Sequence, residues 1–246
     1  MTKNKIIIIS GSSKGIGRGI AEKFLKKNNK VLINSRNLID LDRTYKNLKI
    51  KYKNKILMVC GDIRKRKTLD NIKKIILKKW GRIDVLVANA GDINNIKNKD
   101  DFIKKNYNTT KKFIDFFYKN LIKSRGSIIL ISSIVSLVKT NAPEGFITSK
   151  KLIDIYGKKL SIKLAKHNIN VNIISPGNIY FKNGNWFKKM KKNSVKTKKY
   201  INQNVPMKKF GTIKDVSNLC IFLSSDLSKF ITGQIIAVDG GQSIKA

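Results

Sequence analysis

At 246 residues the chain has room for one large domain or two small ones, and 53 Lys and Arg against 15 Asp and Glu give it a formal net charge of +38. A single histidine, His167, and two isolated cysteines, Cys60 and Cys220, exclude a His-based triad, a His-rich metal site and a disulfide framework. The charge raises nucleic acid as a partner, but the lysines cover nearly every polar helical face. Only seven of the 53 basic residues are Arg, the type suited to bidentate phosphate and base contacts, so no specific nucleic-acid binding is expected.

Along the chain, short apolar runs alternate with longer amphipathic ones. Strands are expected at 5–10 (KIIIIS), 30–35 (KVLINS), 56–60 (ILMVC), 84–88 (DVLVA), 127–132 (SIILIS), 170–175 (NVNIIS) and 234–239 (QIIAVD). Most are apolar throughout, as strands covered on both faces should be. Helical patterns fill the gaps at about 15–28, 38–50, 66–80, 101–123, 144–167 and 213–225. This rhythm predicts an α/β fold: a single Rossmann-like domain over 1–246, with a doubly wound parallel sheet of about seven strands and helices on both faces. The stretch 178–210 is the long irregular segment, expected to act as a substrate lid. No apolar run approaches the ~20 residues of a membrane span, and the run at 6–10 is too short for a signal sequence. A cytoplasmic protein without membrane contact is expected.

Directly after the first strand comes SGSSKGIGRGI, in which Gly11, Gly15 and Gly17, with Ser13, Lys14 and Ile16 between them, form a glycine-rich turn into a helix. Such a turn lets backbone N–H groups approach a pyrophosphate at the helix N-terminus. The second strand ends at NSRN, where an acid would bind a ribose 2′-hydroxyl and Arg would accept a 2′-phosphate. No acid lies at 34–37, Arg36 does, and Lys14 adds a second cation, so NADP(H) is favoured over NAD(H).

The stretches SGSSKGIG (10–17), GDI (61–63), ANAG (88–91), SIILISS (127–133), ISPGNI (174–179) and the block from Phe210 to Gly241 occur in order. Together they resemble the short-chain dehydrogenase/reductase family over essentially the whole chain, and most closely its 3-oxoacyl-acyl-carrier-protein-reductase-like members. The resemblance implies that Asp62 bonds the adenine amine and Ile63 packs on its ring. It implies that Asn89, Ala90 and Gly91 line the cofactor, and that Pro176, Gly177 and Ile179 flank the nicotinamide. It also implies a ketoreductase chemistry in which Ser, Tyr and Lys act with a supporting Asn, and a homotetramer built on the helices at 101–123 and 144–167. Nothing in the composition calls for a metal.

YNTTKKFI places that Asn at Asn108, Ser133 ends the fifth strand, and Lys150 is where the family has its Lys, also reaching the cofactor ribose. The Tyr is expected thirteen residues after Ser133, and position 146 is Phe. Hydride transfer to a ketone needs a proton on the oxygen, and Phe146 has none to give. Tyr45–Lys49 and Tyr107–Lys111 repeat the spacing but do not follow the fifth strand. Tyr156 is too far along the helix, and Tyr180 is the alternative phenol nearest the pocket. Phe181 stands where many relatives have Thr. Lysines 188, 189, 191, 192, 196, 198 and 199 could attract an acidic substrate, such as an acyl-carrier-protein thioester or a phosphorylated sugar, or simply be solvated. The leading expectation is an NADP(H)-dependent oxidoreductase interconverting a ketone and a secondary alcohol, with impaired or altered acid catalysis. The alternatives are a non-catalytic NADP-binding homologue acting as sensor or partner subunit, and a Phe146 introduced to trap a complex.

Overall fold

The computed structural model describes residues 4–91, 96 and 98–244. Seven strands form one parallel sheet: β1 (Ile6–Ile9), β2 (Lys30–Ser35), β3 (Ile56–Cys60), β4 (Val85–Ala88), β5 (Ser127–Ile131), β6 (Asn170–Pro176) and β9 (Ile235–Val238). Their order is β3-β2-β1-β4-β5-β6-β9. The chain leaves β1 for one edge, returns beside it with β4, and then builds toward the other. The reversal between β1 and β4 opens a crevice at the carboxyl ends of the strands, where open α/β sheets bind ligands.

Side chains alternate across each strand, so Ile6 and Ile8 enter one core and Ile7 and Ile9 the other. Both cores are closed by helices, which is why β1 reads as an unbroken apolar run. On one face lie α3 (Arg66–Trp80), α5 (Thr109–Phe117) and α6 (Glu144–Ala165), contributing Ile72, Phe113 and Ile153. On the other lie α1 (Gly15–Lys26), α2 (Leu38–Tyr52) and α9 (Ile213–Leu223), contributing Phe24, Leu41 and Val216. Each fully buried Ile or Leu adds about 1.5–3 kcal/mol relative to an exposed one. Local signals fix the helix starts: the Asn37 side chain caps α2, accepting from the Asp40 amide at 2.8 Å, and Thr212 with Asp215 forms a capping box on α9.

Two segments differ from the sequence expectation. The pattern at 101–123 is not one helix: α4 (Lys99–Ile103) passes through a π turn (104–108) into α5, which tightens into a 3-10 turn at 118–121. The segment 178–210 is not irregular: it holds β7 (Ile179–Tyr180), α7 (Asn185–Lys192) and α8 (Ser194–Asn204). Its order comes from aromatic packing that a charge-rich sequence hides. Trp186 stacks on Tyr200 at 5.2 Å between ring centres and meets Phe210 at 5.5 Å, while Tyr180 meets Phe210 at 5.4 Å. β7 pairs with β8 (Gly211–Thr212), which anchors the far end of the segment.

Candidate active site

A cleft of about 2010 Å³ runs along the carboxyl ends of the strands. Its floor at the glycine-rich end depends on two residues without side chains. At Gly11, φ is +63° and a Cβ would lie 2.8 Å from the Ala90 Cα. A Cβ on Gly17 would lie 2.5 Å from both the Asn89 Nδ2 and the Gly11 carbonyl oxygen. The turn after β1 is therefore pressed onto the turn after β4, and hydrogen bonds hold it there. The Asn89 side chain donates to the Gly11 carbonyl at 2.8 Å, and the Ser10 hydroxyl accepts from the Asn89 and Ala90 amides at 3.1 Å each. The residue that caps α1, Lys14, offers no side-chain hydrogen bond to its first N–H groups, whose partial positive charge favours an anion. A cradle closed to side chains and rich in backbone donors fits a pyrophosphate.

Beyond the loop the cleft is lined by Lys14, Arg36 and Arg43, with Asp40 facing Lys14 at 3.7 Å. Arg43 escaped the sequence reading, since it sits a further turn into α2. Past β3, Asp62 does not stand alone. Arg64 donates to it from its backbone amide at 2.9 Å and from Nη2 at 2.6 Å. Burial alone would raise the Asp62 pKa, but Arg64's hydrogen bonds and charge, with Arg36's charge, carry it below the usual carboxylate range. Arg64 was also missed; its signal was the short D-x-R spacing, which lets a guanidinium fold back on the carboxylate.

At the other end, Ser133 leads a tight turn, its hydroxyl accepting from the Val135 amide at 3.4 Å. α6 then brings Phe146 and Lys150 to the same wall. Lys150 is buried, its Nζ donating to the Ile131 carbonyl at 3.2 Å. Burial pushes its pKa down to about 8, against the opposing charge of Asp154. The Phe146 ring centre lies 5.5 Å from Nζ and 6.1 Å from the Phe102 ring, so the ammonium meets an aromatic face where a phenol would stand.

Asn108 is exposed and does not line the cleft; Asn106, in the π turn, is buried and does. A Cβ on Gly91 would meet the Asn106 Oδ1 at 2.5 Å and the Lys150 Nζ at 3.9 Å, so the absence of a side chain there lets Asn106 and Lys150 converge. Two residues are about half a turn of helix, which puts Asn108 on the opposite face. The missed signal was the buried stripe Phe102, Asn106, Thr109, Phe113, whose 3.6-residue period passes through 106. Of the other residues expected to bind cofactor, Gly17 is buried beneath the loop, and the rest line the cleft, including Ser13, Gly15, Ile16, Ile63, Pro176, Gly177 and Ile179. Phe181 packs over Gly15, with ring atoms 3.0–3.1 Å from where a Cβ would be. Among the described residues the tyrosine that lines the cleft is Tyr200, whose ring stacks on Trp186 and whose hydroxyl accepts from the Gln242 Nε2 at 3.4 Å. Tyr180, expected nearest the pocket, does not line it and packs on Phe210, and the Tyr156 hydroxyl donates to Asp115 at 2.7 Å.

Residues 11–243 match the family described as enoyl-(acyl carrier protein) reductase. The chain is a short-chain dehydrogenase/reductase. Among its relatives, the 3-oxoacyl-[acyl-carrier-protein] reductase FabG of Buchnera aphidicola subsp. Baizongia pistaciae is 32% identical over 254 residues, covering 98% of each chain. The NADPH-dependent reductase BacG of Bacillus subtilis is 31% identical over 247 residues, covering 95% of each. Among solved structures, L-sorbose reductase from Gluconobacter frateurii, complexed with NADPH and L-sorbose, superposes with a TM-score of 0.89 at 25% identity, covering 99% of this chain and 98% of that one. Short-chain dehydrogenases/reductases of this kind are oxidoreductases of CH–OH groups that use a nicotinamide cofactor. Among the described residues no group of three or more His, Cys, Asp or Glu could hold a metal, and no helix is long and apolar enough to cross a membrane.

Proposed function

We propose that the chain is an NADP(H)-dependent reductase that interconverts a ketone and a secondary alcohol, of the 3-oxoacyl-thioester type, with an acid step altered by Phe146. The observation that carries this reading is the convergence of Ser133, Lys150 and Asn106 on one end of a cleft whose other end is a pyrophosphate cradle. When bound, the reduced nicotinamide supplies the hydride. The chain's own residues do the rest. Ser133 bonds the carbonyl oxygen, Lys150 holds the ribose hydroxyls and orders a water behind the substrate, and Asn106 takes the supporting part first expected of Asn108. In place of a phenolic proton, Ser133 and a Lys150-bound water donate to the developing alkoxide, a weaker arrangement.

Arg36, Arg43 and Lys14 on the cleft wall, with Asp40 facing Lys14, support NADP(H) over NAD(H). NADPH fluorescence should shift on binding, and Arg36→Ala should weaken NADPH about tenfold or more while leaving NADH nearly unchanged, the range of a charge-assisted hydrogen bond. Equal loss for both cofactors would refute the assignment of Arg36. The lysines lining the substrate end, Lys182, Lys188 and Lys189, sit on the lid segment 178–210 and suit an acidic carrier-protein thioester or a phosphorylated sugar. The second reading, a non-catalytic NADP-binding sensor or partner subunit, is favoured by Phe146 alone.

We place the protein in the cytoplasm as a homotetramer. Ile155 and Ile162 stand exposed on α6, at 51% and 80%, seven residues apart on one face, which supports a helix-to-helix contact there. Sedimentation at moderate salt should give a tetramer, and a monomer would overturn this assembly.

A further inference from the structure

Asp154 lies four residues after Lys150 on the same buried face of α6, and is 6% exposed. Its Oδ1 has no hydrogen-bond partner among the described residues. The Ser132 and Ser136 hydroxyls lie against the carboxyl group. Each is also anchored: Ser132 donates to the Lys150 carbonyl at 3.4 Å and Ser136 to the Ser133 carbonyl at 2.8 Å. The Ser132 amide donates to the Ile174 carbonyl at 2.8 Å, so Ser175 is its neighbour on β6, and the Ser175 hydroxyl is likewise buried without a partner. This polar pocket interrupts a layer in which α6 otherwise meets the sheet through Ile153, Leu160 and Leu164. An ionisable group in such a place is expensive unless it is paired.

We propose that Asp154 is a positioning residue for Lys150: a buried carboxylate that keeps the ammonium charged and directed at the Ile131 carbonyl and the cleft. The inference takes from the proposed function only that Lys150 serves the reacting end of the site. Among the described residues Asp154 is the charged group acting on Lys150, and it acts from the sheet side of α6. The charged groups acting on Asp154 are Lys150 and Lys158 on its own helix, and the groups facing it from the turn after β5 are the neutral Ser132 and Ser136. Burial raises the Asp154 pKa, while the two serines and the two lysines oppose that rise. For Lys150, burial lowers the value and Asp154 opposes the fall. Removing the carboxylate leaves burial unopposed, so the lysine should lose its proton at lower pH.

The test labels the lysine side chains at 13Cε and titrates the protein without cofactor. The chain has 46 lysines, and the signal lost in Lys150→Met identifies the one of interest. It should titrate near 8. In Asp154→Asn the midpoint should fall by about one pH unit or more, and Asp154→Glu should restore much of it. An unmoved midpoint in Asp154→Asn, or in Asp154→Leu should the amide variant not fold, overturns the proposal. A second measurement needs no change at position 154. In the unmodified protein the Asp154 carboxyl 13C resonance should show a step at the Lys150 midpoint that vanishes in Lys150→Met, and a curve without that step overturns it equally. A purely structural carboxylate would change melting temperature and leave both midpoints alone. Because the titration is read without NADPH, failure of the cofactor to bind would refute the proposed function and leave this result standing.

Discussion

Phe146→Tyr should raise kcat/KM for NADPH-driven reduction of a 3-oxoacyl thioester or a reactive ketone by about 10²–10⁴, the range that a positioned general acid supplies. The change adds one oxygen to a ring already in the cleft wall, half-buried, with its centre 5.5 Å from the Lys150 Nζ. An ammonium at that range favours the phenolate and lowers the phenol's pKa toward neutrality, where it transfers a proton best. NADPH affinity should stay where it was, because Lys150 and the glycine cradle are untouched. The result that separates the two readings is a variant that binds NADPH yet reduces no carbonyl in a broad panel. That outcome refutes the altered-acid enzyme and favours the sensor or partner subunit. Comparable activity in the unmodified protein and the variant would show that another group already supplies the proton.

The fold was legible because its strands are buried on both faces. Ile6–Ile9, Val85–Ala88 and Ser127–Ile131 show no alternation to misread, and each is bounded by a glycine or a polar turn. The cofactor end was legible for a related reason: Gly11 and Gly17 mark places where backbone meets backbone, and only one residue type fits. What failed were features that depend on partners distant in sequence. The helices of 178–210 are held by Trp186, Tyr200 and Phe210, rings far apart in sequence that meet beside the β7–β8 pairing. The motif YNTTKKFI points to Asn108, which is exposed, whereas the buried stripe of the same segment runs through Asn106. The burial of Lys150 was not legible, because nothing in the sequence shows that Gly91, Ile131 and Phe146 close around it. Asp154 could be seen on the helix, but not that the sheet buries it.

Lys150→Met should stabilise the protein at pH 7 while removing function, and this is the second large effect expected. The folded-state value of about 8 lies below that of an unfolded lysine. Between pH 8 and roughly 10.5 the unfolded chain therefore binds a proton that the folded chain has released, and stability rises with pH across that window. Below it the buried ammonium costs about 3 kcal/mol. Methionine keeps the length and apolar volume of the side chain and removes the charge. The value of about 8 already contains Asp154's attraction for the ammonium, so what is taken back is the bond to Ile131, about 1 kcal/mol, leaving a net gain of about 2 kcal/mol at pH 7. For a chain of this size that is several degrees of melting temperature. Above pH 10.5 the lysine is neutral in both states, so the gain should fade. Urea melts of both proteins at pH 7 and pH 10.5 check the sign. A Met variant no more stable at pH 7, or one whose advantage persists undiminished at high pH, would mean that Lys150 is not a charge held in the interior. If the gain appears at neutral pH and fades as expected, the fold retains at position 150 a cation that its own stability disfavours. Only a demand from the cleft explains that retention, and reduction in the Phe146→Tyr background should then collapse when Lys150 is replaced.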